Sequence, residues 1–169
     1  MALSLHDFAH WLADTPLSLT IQNVSWIIPT VQTIHILSIA LVISSVFMMD
    51  LRLLGVIGRG QPTAAYVHRF LPLIWWTLIV LLISGSILII GEPARSLMNP
   101  AFQFKMCMLI LAIIVTLTLH RPVGRDPAYW ELTPGRVQTG KIIAVVSMLV
   151  WVSIIFAGRW IAYMNTTGD

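Results

Sequence analysis

Charge is what this sequence has least of. Only 10% of its residues are Asp, Glu, Lys or Arg, too few to solvate the surface of a soluble domain of 169 residues. Cysteine is almost missing as well. The single Cys107 excludes an internal disulfide, a cysteine cluster for zinc or iron–sulfur, and the paired thiols that attach haem covalently. No glycine-rich phosphate loop, nucleophile elbow, His-Glu zinc motif or pair of intramembrane carboxylates is present, which removes the common hydrolase and nucleotide chemistries. Residues 1 to 23 contain no Lys or Arg, and Asp7, Asp14 and Pro16 interrupt the first apolar stretch. A cleaved signal peptide is therefore not expected. Internal repeats and low-complexity segments are also lacking.

What fills the chain is apolar surface. Hydrophobic residues make up 57% of it and the mean hydropathy is +0.86. They fall in four blocks, about Trp26 to Met49, Leu71 to Ile90, Phe102 to Leu119 and Ile142 to Tyr163, each near the roughly 20 residues a helix needs to span hydrocarbon. Helix is the required state, because the bilayer core offers no water to unpaired backbone groups and four such segments could not close a barrel. The expected fold is an all-α integral membrane protein, a four-transmembrane-helix bundle occupying the whole chain as one domain. Pro29 and Pro72 fall in the first turns of their spans, where a missing donor does little harm. Residues 3 to 14 read as a short amphipathic surface helix with Leu5, Phe8 and Trp11 toward lipid or protein.

Orientation follows from the basic residues, which are retained in the cytoplasm more often than translocated. Arg52, Arg59 and Arg69 flank the first connection, and Arg121, Arg125, Arg136 and Lys141 the third. The second connection has only Arg95 and nearby Lys105, and no Lys or Arg follows Arg159. Both ends are expected on the periplasmic side of a bacterial inner membrane. The formal charge of +3 and pI near 9.5 then reflect topology and lipid headgroup contact, with no nucleic-acid partner implied. The connection from 120 to 141, with Pro122, Gly124, Pro127, Pro134 and Gly135, reads as a turn-rich loop, and Trp130 as its anchor at the interface.

Ionisable groups inside a bilayer usually face the bundle and serve a purpose. At about 1.5 Å of rise per residue, His35 lies roughly 10 Å below the outer surface, Arg159 about 6 Å and Lys105 about 3 Å. Helical spacing puts Gln32, His35, Ser38 and Asp50 on one side of the first span, Lys105, Leu109, Thr116 and His120 on one side of the third, and Arg159 with Tyr163 on one side of the fourth. Taken as inward faces, these stripes make an outer polar pocket for an anionic or carbonyl-bearing ligand, such as a quinone head or a haem propionate. Snorkelling of Lys105 and Arg159 to the interface is the plain alternative.

A second constellation is expected at the opposite end. His68 opens the second span and His120 closes the third, which would place two imidazoles at similar depth for a bis-histidine haem b, its propionates near Arg69 or Arg121. His35 differs from His120 by roughly 20 Å in depth and cannot share that iron. His6 and His10, four residues apart on the surface helix, are a possible metal pair or simply a solvated face.

Beyond these readings, the chain resembles a family of small, functionally uncharacterised four-helix bacterial membrane proteins. The likeness runs from about Asp14 to Tyr163 and rests on Thr15-Pro16-Leu17-Ser18, Trp26 with Pro29 and His35, Asp50-Leu51-Arg52-Leu53-Leu54-Gly55, Asn99-Pro100-Ala101-Phe102 with Lys105, His120, and Gly158-Arg159 with Ile161-Ala162-Tyr163. The resemblance implies the four-helix fold and a role for His35, Asp50, Lys105, His120 and Arg159. His68 is not part of that pattern. In architecture alone, the family is also similar to cytochrome b561 and copper-resistance D modules.

The leading expectation is a redox-linked membrane subunit that holds haem b or a quinone and exchanges electrons with a partner. The alternative is a non-catalytic accessory or assembly subunit, packed by its apolar faces against a larger membrane complex or a second copy, with its buried polar groups bonding helix to helix. A small transporter or metal-handling protein, with Met48, Met49, Met106 and Met108 along a path, is the third; such methionines commonly serve packing alone.

Overall fold

The computed structural model describes residues 5–58 and 60–160, and every regular element among them is helical. In chain order these are α1 (Leu5–Ala13), α2 (Pro16–Asn23), α3 (Ile27–Leu53), α4 (Thr63–Gly91), α5 (Pro93–Leu97), α6 (Pro100–Arg125) and α7 (Pro134–Trp160). Four of them, α3, α4, α6 and α7, are long and apolar enough to cross a membrane. The protein is a multi-pass membrane protein.

Local chemistry fixes where the helices begin. Thr15 caps α2 by accepting from the Ser18 N–H, and Asn99 caps α6 by accepting from the Ala101 N–H at 2.9 Å. A proline follows each cap, where its fixed φ favours helix and its lost donor would be unpaired in any case. Pro134 opens α7 in the same way. In the α3–α4 connection, Gly55 and Gly58 take φ values of +75° and +62°, a conformation that side chains resist. A Cβ at Gly58 would also collide with the Tyr66 ring.

The spanning helices form a ring of antiparallel neighbours. α3 packs along α4, α6 along α7, and α3 against α7, whereas α4 and α6 touch sparsely. Val42, Val46 and Met49 from α3, Ile74 from α4, Leu119 from α6 and Trp151 from α7 fill the centre. Ile36, Leu37, Leu82, Ile83, Leu149 and Phe156 point outward, as expected where the surrounding solvent is lipid. One end of the bundle carries the two tight hairpin connections. The other carries α1, α2 and α5, joined to α4 by a hydrogen bond from the Ser18 hydroxyl to the Ile90 carbonyl at 2.6 Å. Below, these are the hairpin end and the terminal end.

Several expectations change in detail. The surface helix is α1 over Leu5–Ala13, residues 3 and 4 lying outside the described residues, and α2 and α5 are further short helices beside it. The apolar blocks understate the helices because a helix continues past the hydrocarbon until its chain chemistry stops it. α4 starts directly after Pro62, so Pro72 sits inside it without ending it. α6 likewise runs through Pro122 to Arg125, leaving only residues 126 to 133 between the last two helices.

Trp130 does not anchor that short loop at an interface. It is 7% exposed, its indole N–H donates to the Leu119 carbonyl at 2.8 Å, and its ring covers Gly140, where a Cβ would meet it at 3.0 Å. The indole is a plug in the hairpin end. Next to it, one Glu131 oxygen accepts from the Thr63 hydroxyl at 2.7 Å, the Thr63 N–H at 3.1 Å and the Arg52 guanidinium at 3.1 Å. Arg52 also donates to the Gln61 carbonyl. A carboxylate from the α6–α7 connection thus caps the first turn of α4, where the helix dipole favours negative charge, and ties both hairpins to the last turn of α3.

The Thr63 hydroxyl, with Arg52 behind it, holds the Glu131 carboxyl below the ordinary glutamate range. A depressed folded-state value means that the stabilisation is complete above the unfolded value of roughly 4.3 and is lost as pH falls through the folded one. We predict that Glu131→Gln lowers the melting temperature of the detergent-purified protein at neutral pH, by a loss of about 1 kcal/mol. The gap to wild type should close below about pH 4. An equal gap at all pH values would show that the charge on Glu131 contributes nothing.

Candidate functional site

Two polar levels lie inside the bundle, separated along α3. The first is near the terminal end. His35 is half-buried on α3 and its Nδ1 lies 2.8 Å from the Ser84 hydroxyl of α4. Ser84 commits its only hydrogen to the Val80 carbonyl at 2.7 Å, so the imidazole must be the donor at Nδ1. With its hydrogen on Nδ1, the neutral form of the ring carries its lone pair on Nε2. Gly85, next along α4, leaves room for the ring: a Cβ there would meet the imidazole Cε1 at 3.4 Å.

Lys105 of α6 reaches the same region, close enough for its charge to act on His35. It is half-buried, and its ammonium passes over α7 at Gly158, 3.8 Å from where a Cβ would stand. Two glycines in apolar helices thus make space for an imidazole and for an ammonium whose charge reaches it. A lone-pair acceptor and a cationic donor together suit a ligand carrying oxygen atoms.

Other residues expected here are placed differently. Gln32 is exposed, one turn beyond His35, and Arg159 is exposed beside Gly158 while keeping an interaction of its own. Both spring from the last turn or so at the terminal end, where a long polar side chain gains more by reaching out than by turning inward. Tyr163 lies outside the described residues.

The second level is toward the hairpin end. Asp50 of α3 is 1% exposed and neither of its oxygens has a hydrogen-bond partner. Ser147 of α7 faces it, near enough for its hydroxyl to interact with the carboxyl, although no hydrogen bond of ordinary geometry joins the two. The Thr116 hydroxyl and His120 Nδ1 of α6 and the Trp151 indole N–H of α7 are also buried without partners. Asp50 therefore belongs with Thr116, Ser147 and His120 rather than with His35. The inward stripes on the first and third spans are correct over Ser38 to Asp50 and Thr116 to His120.

The structure does not bring His68 and His120 together. His120 is 5% exposed inside the bundle, whereas His68 is on the exposed side of α4. Starting α4 at Thr63 instead of Leu71 fixes the turn of the helix, and it is Ala64 and Val67 that face inward. These two imidazoles do not fit one haem iron. His6 and His10 stay on the exposed face of α1 with Nε2 atoms 3.3 Å apart. Met49 packs in the core while Met48 and Met106 face outward, so the methionines do not line one path. Among the described residues no group of three His, Cys, Asp or Glu side chains is placed to hold a metal ion.

At the hairpin end an open cleft of about 440 Å³ is lined by Arg52, Gly55, Thr63, Trp130, Glu131 and Lys141, among others. Sequence reasoning missed Ser84, Gly85, Ser147 and Glu131. For the first three the signal was weak, small or hydroxyl-bearing residues in otherwise aliphatic runs, which also serve plain helix packing; Glu131 is a lone carboxylate in a polar loop and carried none.

No curated protein and no solved structure matches the chain. One family model does, over residues 11–164, a stretch that contains both polar levels and all four spanning helices. The chain belongs to a family of unknown function, DUF6644.

Proposed function

We propose that this protein is a redox-linked membrane subunit that holds a quinone head group between His35 and Lys105. The observation that carries the reading is the His35–Ser84 hydrogen bond, which turns a lone-pair nitrogen toward the level that Lys105 reaches. Lys105 would donate to a quinone carbonyl, and His35 Nε2 would accept the O–H of the quinol. Reduction takes up two electrons and two protons, and the electrons come from a redox centre in a partner, making the chain part of a larger membrane complex. The sparse α4–α6 contact suits a lipid-soluble ligand entering from the side. Haem b is the competing occupant; His35 and His120 each offer one imidazole, so its second axial ligand would come from elsewhere.

Quinone extracted from the purified protein and quantified by chromatography should approach one per chain. His35→Ala and Lys105→Ala should each lower it about tenfold or more, the loss of one hydrogen bond to a charged or strongly polar partner, with the fold retained by circular dichroism. Folded wild-type protein without quinone overturns the reading. A Soret band with a pyridine haemochrome would install haem b in its place.

We further propose that the chain resides in a bacterial inner membrane with the terminal end periplasmic. The basic residues support this, since Arg52, Arg121, Arg125, Arg136 and Lys141 all cluster at the hairpin end. In a Cys107→Ser background, Asp14→Cys should react with a membrane-impermeant maleimide in spheroplasts, and Gly60→Cys only after lysis. The reverse pattern would invert the topology and move the quinone site to the cytoplasmic leaflet.

A further inference from the structure

No described side chain forms an ion pair with the buried carboxyl of Asp50. Both of its oxygens are buried and unpartnered. The two ion pairs among the described residues, Arg52 with Glu131 and Arg95 with Glu92, leave it out. Arg52, two residues on, directs its guanidinium at Gln61 and Glu131 instead. His120 Nδ1 is itself unpartnered, so the imidazole does not bond the carboxylate through that nitrogen. A bare carboxylate in the middle of a membrane bundle is too unfavourable to persist, so the group must hold either a proton or a counter-ion.

The neighbouring hydroxyls point to the counter-ion. Hydroxyls on spanning helices here usually donate back to the carbonyl one turn earlier, as Ser38, Ser45, Thr77, Thr118 and Ser153 do. Ser147 and Thr116 do not, and both are buried with free oxygens. Helix register puts them at one level to within the reach of a lysine side chain. Lys105 of α6 lies against Gly158 of α7, and in an antiparallel pair equal steps along each helix, about 16 Å at 1.5 Å per residue, bring Thr116 opposite Ser147. Asp50 faces that same Ser147 from α3.

We propose that Asp50, Ser147 and Thr116 form an intramembrane site for one monovalent cation of sodium size. The carboxylate supplies the charge and the hydroxyls supply neutral oxygen ligands, an all-oxygen set that suits a hard cation. A single carboxylate balances one positive charge; a divalent ion would keep a net charge in hydrocarbon and ordinarily recruits several carboxylates.

Binding of radioactive sodium to the full chain in nanodiscs, measured by scintillation proximity in choline chloride at about pH 8, where protons compete least with a carboxylate, tests the site. The expected result is saturable binding near one ion per chain, displaced by unlabelled sodium but not by extra choline. Asp50→Asn and Ser147→Ala should each weaken it about tenfold or more while circular dichroism and size-exclusion profiles stay unchanged. Absence of saturable binding in wild type overturns the proposal, as does unaltered binding in both variants. An infrared carboxylic-acid band at that pH, lost in Asp50→Asn, overturns it in favour of a bound proton. Quinone content on the same samples should be unaffected by Asp50→Asn, so the two sites can fail separately.

Discussion

Hydrocarbon can neither accept nor donate a hydrogen bond, and this constraint shapes every part of the protein. It forces the backbone of each span into helix, so that N–H and C=O groups pair within their own segment. It sends isoleucine, leucine and phenylalanine outward as readily as inward, since lipid does not distinguish the two faces. The same constraint makes each polar atom left inside the bundle informative. Such an atom must bond to its own helix, to a neighbouring helix or to something the chain does not itself supply.

Three outcomes of that choice are visible. Ser38 and Ser45 satisfy themselves on the backbone one turn earlier, leaving nothing to bind a ligand. His35 and Ser84 satisfy each other across α3 and α4, and one imidazole nitrogen remains over. Asp50, Ser147 and Thr116 make no hydrogen bond of ordinary geometry, Ser147 alone lying near enough to interact with the carboxyl. The step from self-bonded hydroxyl to cross-helix pair to orphaned cluster is a step from structure toward binding. At the hairpin end, Glu131 takes a fourth course. It is partly exposed to solvent, and there a charge can be spent on joining connections because water shares the burden of solvating it.

The class of fold was legible from composition and block length because span length is a physical requirement and leaves few alternatives. Inward faces were legible wherever a polar residue recurs at helical spacing, as for Ser38 to Asp50 and Thr116 to His120. Helix ends were less so. Apolar blocks mark where lipid lies, whereas the ends are set by Pro62, Asn99 with Pro100, and Pro134, and α4 begins eight residues before its apolar block. That difference changed which side of α4 His68 occupies, and with it the expected pairing to His120. Trp130 was misplaced for a similar reason. An indole near the end of a span is equally consistent with an interfacial anchor or a buried plug, and only the absence of a side chain at Gly140 decides between them.

Between the two polar levels the interior is largely apolar, and the buried hydroxyls of Ser38, Ser45 and Thr77 bond back to their own helices. From His35 to Asp50, α3 presents Val42 and Val46, and Ile74 of α4, Ala112 of α6 and Ile154 of α7 close the same region. At 1.5 Å per residue the levels are separated by about 22 Å. A continuous path for an ion would need polar groups through that layer, and the self-bonded Ser45 hydroxyl does not provide one. The described bundle therefore has two polar levels separated by a mainly aliphatic layer. Occupancy of one can reach the other only through the helices themselves. α3 carries both His35 and Asp50, and α6 carries both Lys105 and Thr116, so a small axial shift of either helix would be felt at both levels at once.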